Sequence, residues 1–237
     1  MRVLWEENDW MTIRDSLDRG APVILPCGCV EEHGPHLPVG TDLFQAYHVA
    51  LQVAARTDGM VLPPFHYGHS SSTRNFPGSI VISAGTLRSM TKDVLEGVVS
   101  SGARKILILT GHAGSTHMAV MRDAAREVVE NHEEVIIYYL TDYEIAAELI
   151  RKDPRFPPAD GHAGDIETSR MMDIYPELVG KPPEGSFPRF PPHRILPDPE
   201  SYFPTGLMGD PENADPGKGA FLNDRIVEYL VDLLSGD

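Results

Sequence analysis

Hydrophobic positions along the chain fall into four short, nearly continuous runs, and between these runs hydrophobic residues recur at roughly helical spacing. Short continuous runs are typical of strands that are buried on both faces of a parallel sheet. We predict strands at Ala21–Leu25, Met60–Leu62, Lys105–Thr110 and Val135–Leu140. A hydrophobic period of about 3.6 residues predicts helices at Asp42–Arg56, Thr86–Ser100, Thr116–Glu130 and Phe221–Leu234, with Thr86 as an N-cap.

The alternation of strands and helices predicts a three-layer α/β/α fold with a mainly parallel sheet. The chain has 237 residues, a length that suits one sizeable domain, and we assign residues 1–237 to a single α/β domain. Two stretches rich in proline, Lys152–Pro158 and Pro176–Pro216, are predicted to be ordered loops that cover the ends of the sheet.

Charge and cysteine content narrow the classes of function that the chain can have. The 35 acidic and 20 basic residues give a formal net charge of -15. A field of this sign repels phosphate backbones and anionic lipids, so we expect neither a nucleic-acid partner nor a membrane partner. The N-terminus lacks the apolar core of a signal peptide, and we therefore expect a cytoplasmic protein. We interpret Cys27 and Cys29 as small buried side chains, with soft metal ligation as the alternative.

The segment from Pro26 to Asp42 follows the first predicted strand and contains Glu31 and His33. Ligands of open parallel sheets bind outside the carboxyl ends of the strands, so a site is expected here. Glu31 and His33 are two residues apart, which places both side chains on one face of an extended segment. Carboxylate and imidazole donors suit Zn²⁺, Mn²⁺ or Fe²⁺. The alternative is a polar loop whose charges are merely solvated.

Two later segments place further histidines at the same edge of the predicted sheet. His112 lies in the turn Gly111–Ser115 after the third strand, and His162 precedes a predicted helix that carries Glu167 in its first turn. The turn could instead be a glycine turn chosen for its geometry, or it could bind phosphate, although its spacing is not that of a P-loop. Glu167 could instead be a helix cap, since a carboxylate there contributes about 0.3–1 kcal/mol.

Taken in order, these segments resemble the creatininase family of creatinine amidohydrolases. The matching segments are Glu31-Glu-His33-Gly-Pro-His-Leu-Pro-x-x-Thr-Asp42, then Phe76-Pro-Gly-Ser, then Gly111-His112-x-Gly, then His162-Ala-Gly-x-x-Glu167-Thr-Ser. The resemblance implies a creatininase-like α/β fold and a metal-dependent amidohydrolase. Such an enzyme opens a small amide or cyclic amide by means of metal-bound hydroxide.

The resemblance also implies the cofactor, which is a pair of divalent metal ions (Zn, Mn or Fe) in each subunit. In the family, a carboxylate at the position of Asp42 bridges the two ions. Glu31 and His112 would complete the first site, and His33 would belong to the second.

One position departs from the family pattern. Creatininase has a glutamate two residues after the histidine of the second segment, and this chain has Gly114 there. We assign Glu167 to the second ion in its place, with the orientation of another ligand as the alternative role. His162 takes the family position that acts on the leaving nitrogen or the tetrahedral intermediate, so His162 and Glu167 are the predicted catalytic residues. His69 and Ser70 are predicted to contact the substrate.

The substrate is expected to be a small molecule that the residues do not name. Creatininase closes its pocket with tryptophans, whereas Trp5 and Trp10 of this chain lie outside the matching segments, so we do not assign creatinine. The family also contains a formamide hydrolase of flavin and deazaflavin biosynthesis, a mycofactocin maturation peptidase and ring-ketone hydrolases. It forms closed homo-oligomers, often hexamers, and we expect the same here. A non-catalytic, metal-stabilised binding protein is the alternative of another class, because Gly114 leaves a site one ligand short.

Overall fold

The computed structural model describes residues 2–151, 153–157 and 159–236. Four residues lie outside this description. They are Met1 and Asp237, at the ends of the domain predicted over residues 1–237, and Lys152 and Pro158, at the ends of a predicted loop.

A parallel sheet of four strands forms the centre of the described chain. Its strands are β1 (Val23–Cys27), β2 (Met60–Val61), β3 (Lys105–Thr110) and β4 (Ile136–Thr141). Their order in the sheet is β2-β1-β3-β4, and every neighbouring pair is parallel. The chain adds β2 on one side of β1 and adds β3 and β4 on the other. The carboxyl ends of β1 and β3 therefore flank a topological switch point, where α/β sheets bind their ligands.

Helices cover both faces of the sheet and confirm the three-layer prediction. They are α1 (Trp10–Asp18), α2 (Thr41–Thr57), α3 (Ala84–Ser100), α4 (Ser115–Asn131), α5 (Asp142–Ile150), α6 (Asp165–Ile174) and α7 (Pro216–Ser235). One hydrophobic core joins the sheet to α1, α3 and α4, and a second joins its other face to α2, α5, α6 and α7. In the described residues, no helix combines the length and the apolar character needed to cross a membrane.

Several element ends differ from the sequence prediction. The predicted N-cap Thr86 is wrong, because Ser83 caps α3 and its hydroxyl accepts the backbone N–H of Thr86 at 3.0 Å. Helices α1 and α5 were not predicted. Asp9 caps α1, and the capping box that opens α5 pairs Thr141 with Glu144.

The segment between α6 and α7 is irregular apart from two short 3-10 helices, Pro176–Leu178 and Pro199–Tyr202. It folds back onto the carboxyl edge of the sheet. The backbone N–H of Gly180 donates to the carbonyl of His36 at 2.7 Å, and that of Met208 donates to the carbonyl of His162 at 2.9 Å. The proline-rich loop thus covers the sheet edge, as the sequence predicted.

Candidate metal centre

Two glycines bring Asp42 to the carboxyl edge of the sheet. A β-carbon on Gly28 would lie 2.5 Å from the backbone nitrogen of Leu43, and one on Gly111 would lie 2.0 Å from the carbonyl oxygen of Asp42. Side-chain carbons do not approach backbone this closely, so only glycine lets the first turn of α2 reach the ends of β1 and β3. Asp42 therefore lies between the loop after β1 and the turn after β3.

The first group of donors consists of Glu31, Asp42 and His112, all of which are buried. Nδ1 of His112 lies 2.6 Å from Oε1 of Glu31 and 3.3 Å from Oδ2 of Asp42. Among the described residues, Oε1 of Glu31 has no hydrogen-bond partner, and its close neighbour is Nδ1 of His112. Buried ligand atoms that converge on one point fit a shared cation. The other oxygen of Glu31 accepts the hydroxyl of Thr73.

The second group consists of His33, Asp42 and Glu167, whose ligand atoms lie within 4.8 Å of one another. Nε2 of His33 is 3.1 Å from Oδ1 of Asp42 and 3.8 Å from Oε2 of Glu167. The two carboxylate oxygens of Asp42 thus face different histidines. This is the arrangement that a bridging carboxylate requires.

Backbone carbonyls fix which nitrogen of each histidine is available as a ligand. Nδ1 of His33 donates to the carbonyl of Glu31 at 3.1 Å, and Nε2 of His112 donates to the carbonyl of His69 at 3.2 Å. A carbonyl only accepts hydrogen bonds, so the proton of each neutral ring lies on the nitrogen that faces it. The free nitrogens are then Nε2 of His33 and Nδ1 of His112, the atoms that face the carboxylates. Such outer hydrogen bonds commonly orient metal-binding histidines.

The buried carboxylates of the two donor groups favour positive charge on the groups next to them. Burial lowers the pKa of His33, but the carboxylates of Asp42 and Glu167 outweigh it and raise that pKa to about 10. Burial likewise lowers the pKa of His112, and Glu31 and Asp42 raise it well above its usual value. For Glu31, burial raises the pKa, and the nearby His112 reverses this and lowers the pKa to about 2. The carboxylates thus stabilise protons on the rings, and divalent ions can supply that charge instead. The donor set and the unpartnered oxygen of Glu31 fit a metal.

Glu167, and not residue 114, is the carboxylate that the fold brings to the second group. Glu167 lies in the first turn of α6, as predicted, and its Oε2 also accepts the backbone N–H of Ala163 at 2.6 Å. A β-carbon on Gly114 would lie 2.3 Å from Nε2 of His112. The imidazole ring of His112 therefore occupies the space into which a side chain at position 114 would project.

His162 lies beside the second group and is held by Glu32. Its Nε2 is 2.7 Å from the carbonyl oxygen of Glu32 and 3.2 Å from Oε1 of the same residue. The rings of His162 and His33 are 4.4 Å apart at their centroids. Burial and His33 lower the pKa of His162, whereas the hydrogen bond to Glu32 and the charges of Glu31 and Glu167 raise it, and the net shift is upward.

Glu32 is a residue that the sequence did not single out. In an extended segment it would face away from Glu31 and His33. Here its Oε2 accepts the backbone N–H of Gly34 at 2.9 Å, and a β-carbon on Gly206 would lie 2.0 Å from that same oxygen. The local turn and the proline-rich loop, rather than the alternation of an extended strand, set its direction. The one signal in the sequence is the doubled glutamate of the first motif.

His69 and Ser70 support the ligands in this structure. Nδ1 of His69 hydrogen-bonds to the carbonyl of Ile82 at 3.0 Å, and the hydroxyl of Ser70 bonds to that of Thr73, which in turn donates to Glu31. Of this segment, Ser72 lines the cavity beside the candidate metal ligands. Substrate contact by His69 and Ser70 stays a prediction.

A cavity of about 280 Å³ opens beside both donor groups. Apart from the candidate ligands, its lining includes Ser72, Tyr143, Asp160 and Met208. The turn after β3, which the sequence left open as a phosphate site, contributes His112 to the metal donors. The arrangement can bind a polar small molecule next to a cation.

The fold and the donor set together define an α/β protein with a candidate metal centre at the carboxyl edge of its sheet. A family model for creatininase, described as creatinine amidohydrolase, matches residues 6–234 of this chain. The chain belongs to the creatininase family, which its motifs resemble, and this confirms the prediction made from the sequence.

Characterised relatives match most of the chain at low identity. Creatinine amidohydrolase of Pseudomonas putida is 26% identical over 228 residues, which cover 90% of this chain and 88% of that protein. The mycofactocin precursor peptide peptidase of Mycobacterium ulcerans is 27% identical over 224 residues, which cover 89% of this chain and 81% of that protein.

Solved structures of creatininase share the fold. A manganese form superposes with a TM-score of 0.89 at 24% identity and covers 99% of this chain and 98% of its own. A zinc form of a creatininase variant superposes with a TM-score of 0.88 at 25% identity, with 99% and 97% covered. The creatininase-like fold expected from the motifs is therefore confirmed.

Proposed function

We propose that this protein hydrolyses a small amide or cyclic amide with the help of two divalent metal ions. The observation that carries the proposal is the position of Asp42, whose two oxygens face two separate groups of buried donors. Glu31 and His112 complete one group, and His33 and Glu167 complete the other. Two divalent ions would polarise the scissile carbonyl and lower the pKa of an attacking water toward ~7.

The residues of the chain have separate tasks in such a reaction. Glu32 engages Nε2 of His162, so Nδ1 is the nitrogen of His162 that remains to carry a proton to the leaving nitrogen. The raised pKa of His162 favours this acid role, because its ring is then protonated over a wider range of pH. The backbone contacts of His33 and His112 keep their ligand nitrogens directed at the carboxylates.

The cavity favours a small and polar substrate. Its volume of about 280 Å³ is at the low end of ligand pockets. Ser72, Tyr143 and Asp160 bring polar side chains to the lining, and Met208 brings an apolar one. A formamide or a strained ring ketone fits this description as well as a cyclic amide, and both remain alternatives within the family. Two expectations from the sequence, a homo-oligomer such as a hexamer and a cytoplasmic location, are part of the proposal.

A substrate screen with matched variants tests the proposal. The Mn²⁺- and Zn²⁺-loaded protein is incubated with small cyclic amides, formamides and lactones, and product release is measured. His162→Ala should keep both ions and lower kcat by roughly 10²–10⁴-fold, as expected for loss of an acid–base group. Glu32→Gln retains the backbone carbonyl that contacts His162 and should lower kcat less than His162→Ala does, with little change in KM.

The second candidate is a binding protein stabilised by one ion, which Gly114 favours because it supplies no ligand. Metal analysis separates the two candidates. Two ions per chain together with turnover of an amide support the hydrolase. One ion per chain and no turnover across the panel would refute it.

A further inference from the structure

Cys29 lies in the first group of metal donors. Its sulfur, a carboxylate oxygen of Glu31 and a ring nitrogen of His112 all lie within 4.8 Å of one another, and all three residues are buried. The Oε1 atom of Glu31 has no hydrogen-bond partner in the part of the chain that the structure describes. Sulfur, carboxylate oxygen and imidazole nitrogen are each donors that Zn²⁺ accepts in proteins.

The surroundings of Cys29 are not those of a hydrophobic side chain. Cys27, two residues earlier, belongs to the core cluster that packs under α3 and α4, whereas Cys29 is absent from the hydrophobic clusters formed by the described residues. The carboxylates of Glu31 and Asp42 are near the sulfur instead. Burial and these carboxylates raise the pKa of the Cys29 thiol, so the sulfur would bind as a thiolate only when a metal ion displaces its proton.

The backbone of Cys29 is already tied to the bridging carboxylate. Its N–H donates to Oδ2 of Asp42 at 3.1 Å, and this is the oxygen that faces His112. Residue 29 is therefore held at a fixed distance from the first group. A substitution of its side chain leaves this backbone hydrogen bond in place, which makes the role of the sulfur separable from the orientation of Asp42.

We propose that the sulfur of Cys29 is a ligand of the ion held by Glu31, Asp42 and His112. This proposal rests on the two-metal centre of the proposed function, and it gives the two metal sites different numbers of protein ligands. The first site then has four protein donors, the number that closes a tetrahedral zinc site, and the second has three, from His33, Asp42 and Glu167. With fewer protein donors, the second site would be the more accessible of the two to water and substrate.

Cobalt spectroscopy tests this assignment without reference to activity. The metal-free protein is titrated with Co²⁺, whose visible d–d bands report binding to any donors and whose near-ultraviolet charge-transfer band reports a bond to sulfur. The full-length parent should show both kinds of band. Cys29→Ser should keep the d–d bands and lose the charge-transfer band. Cys27→Ala is the matched control, since it also removes one sulfur, and it should keep both.

A competition between soft and hard ions provides a second measurement. Sulfur favours Cd²⁺ over Mn²⁺, so Cys29→Ser should lower the preference of the first site for Cd²⁺ at least about tenfold, while Cys27→Ala leaves it unchanged. Three results would overturn the assignment of Cys29 and leave the hydrolase proposal standing. They are d–d bands without a charge-transfer band in the parent, a charge-transfer band that survives in Cys29→Ser, and a Cd²⁺ preference that Cys29→Ser does not change. A parent that binds no Co²⁺ would overturn both proposals.

Discussion

Replacement of Asp42 by asparagine is the most direct perturbation of the metal centre. The asparagine side chain has nearly the same volume, and its amide oxygen can still accept the N–H of Cys29, which Oδ2 of Asp42 accepts at 3.1 Å. The change removes the charge and one of the two donor oxygens. Those oxygens lie 3.1 Å from Nε2 of His33 and 3.3 Å from Nδ1 of His112. One substitution therefore reaches both donor groups while the first turn of α2 keeps its hydrogen bond.

The expected magnitude follows from this shared position. Loss of even an outer partner in a metal site typically lowers affinity 10–100-fold, which is about 1.4–2.7 kcal/mol for each ion. Asp42→Asn affects two ions, so the product of the two binding constants should fall by at least roughly 10²–10⁴-fold. Glu31→Gln touches only the first group and should weaken one ion. The difference between these two variants isolates the bridging role.

The assay is metal content by mass spectrometry after dialysis against buffered Zn²⁺, with circular dichroism as a check on the fold. Asp42→Asn should retain its helical signal and lose both ions. Asp165→Asn is a suitable control, because Asp165 is also buried in the first turn of a helix but pairs with Lys218 and Ser169. If Asp42→Asn binds two ions with the affinity of the parent, Asp42 does not bridge them.

Two further predictions concern the second donor group. Glu167→Gln replaces the carboxylate oxygen that lies 3.8 Å from Nε2 of His33 by a weaker neutral donor, and dialysis should then remove one ion of the two. The stability of the metal-free protein should depend on His33, whose pKa is raised in the folded state from 6.5 to about 10. A raised pKa stabilises the fold most below pH 6.5, and this contribution should be lost as the pH rises toward 10, as measured by urea unfolding.

Each of these two predictions has its own control. Glu212→Gln, an exposed change in the proline-rich loop, should leave both ions bound. Tight binding of two ions by Glu167→Gln would show that Glu167 only orients another ligand. The metal-loaded protein serves as the control for the pH series, since a metal-bound His33 carries no proton to lose. A metal-free protein that is as stable at pH 10 as at pH 6 would contradict the electrostatic account of His33.

The sheet was predictable because its strands are locally unambiguous. Strand β3 begins and ends where the sequence predicts, since polar Lys105 and the glycine turn after Thr110 bound an apolar run. Helix α1 was not predicted, because its Trp10 and Met11 are exposed and give a poor hydrophobic stripe. The strand β1 extends two residues beyond its predicted end, because Pro26 and Cys27 continue to pair with β3.

The sequence predicted only in part which candidate metal ligands lie close together in the fold. Glu31 and His112 follow strands that were recognised, so their arrival at one edge follows from a parallel sheet. The orientation of Glu32 was not predictable. The position of Glu32 depends on His162, which lies 130 residues further along the chain, and on the loop that contains Gly206. Such contacts have no signature in local sequence.

The ring of His112 lies over Gly114, so the residue at position 114 and the orientation of His112 depend on each other. A glutamate introduced at position 114 would bring its β-carbon to within 2.3 Å of Nε2 of His112, so the ring must turn away from the carbonyl of His69 before the new carboxylate can bind an ion. A side chain at position 114 therefore requires a different orientation of His112 from the one seen here. Exchange of single ligands between family members should be epistatic, with a ligand that is beneficial in one background harmful in the other.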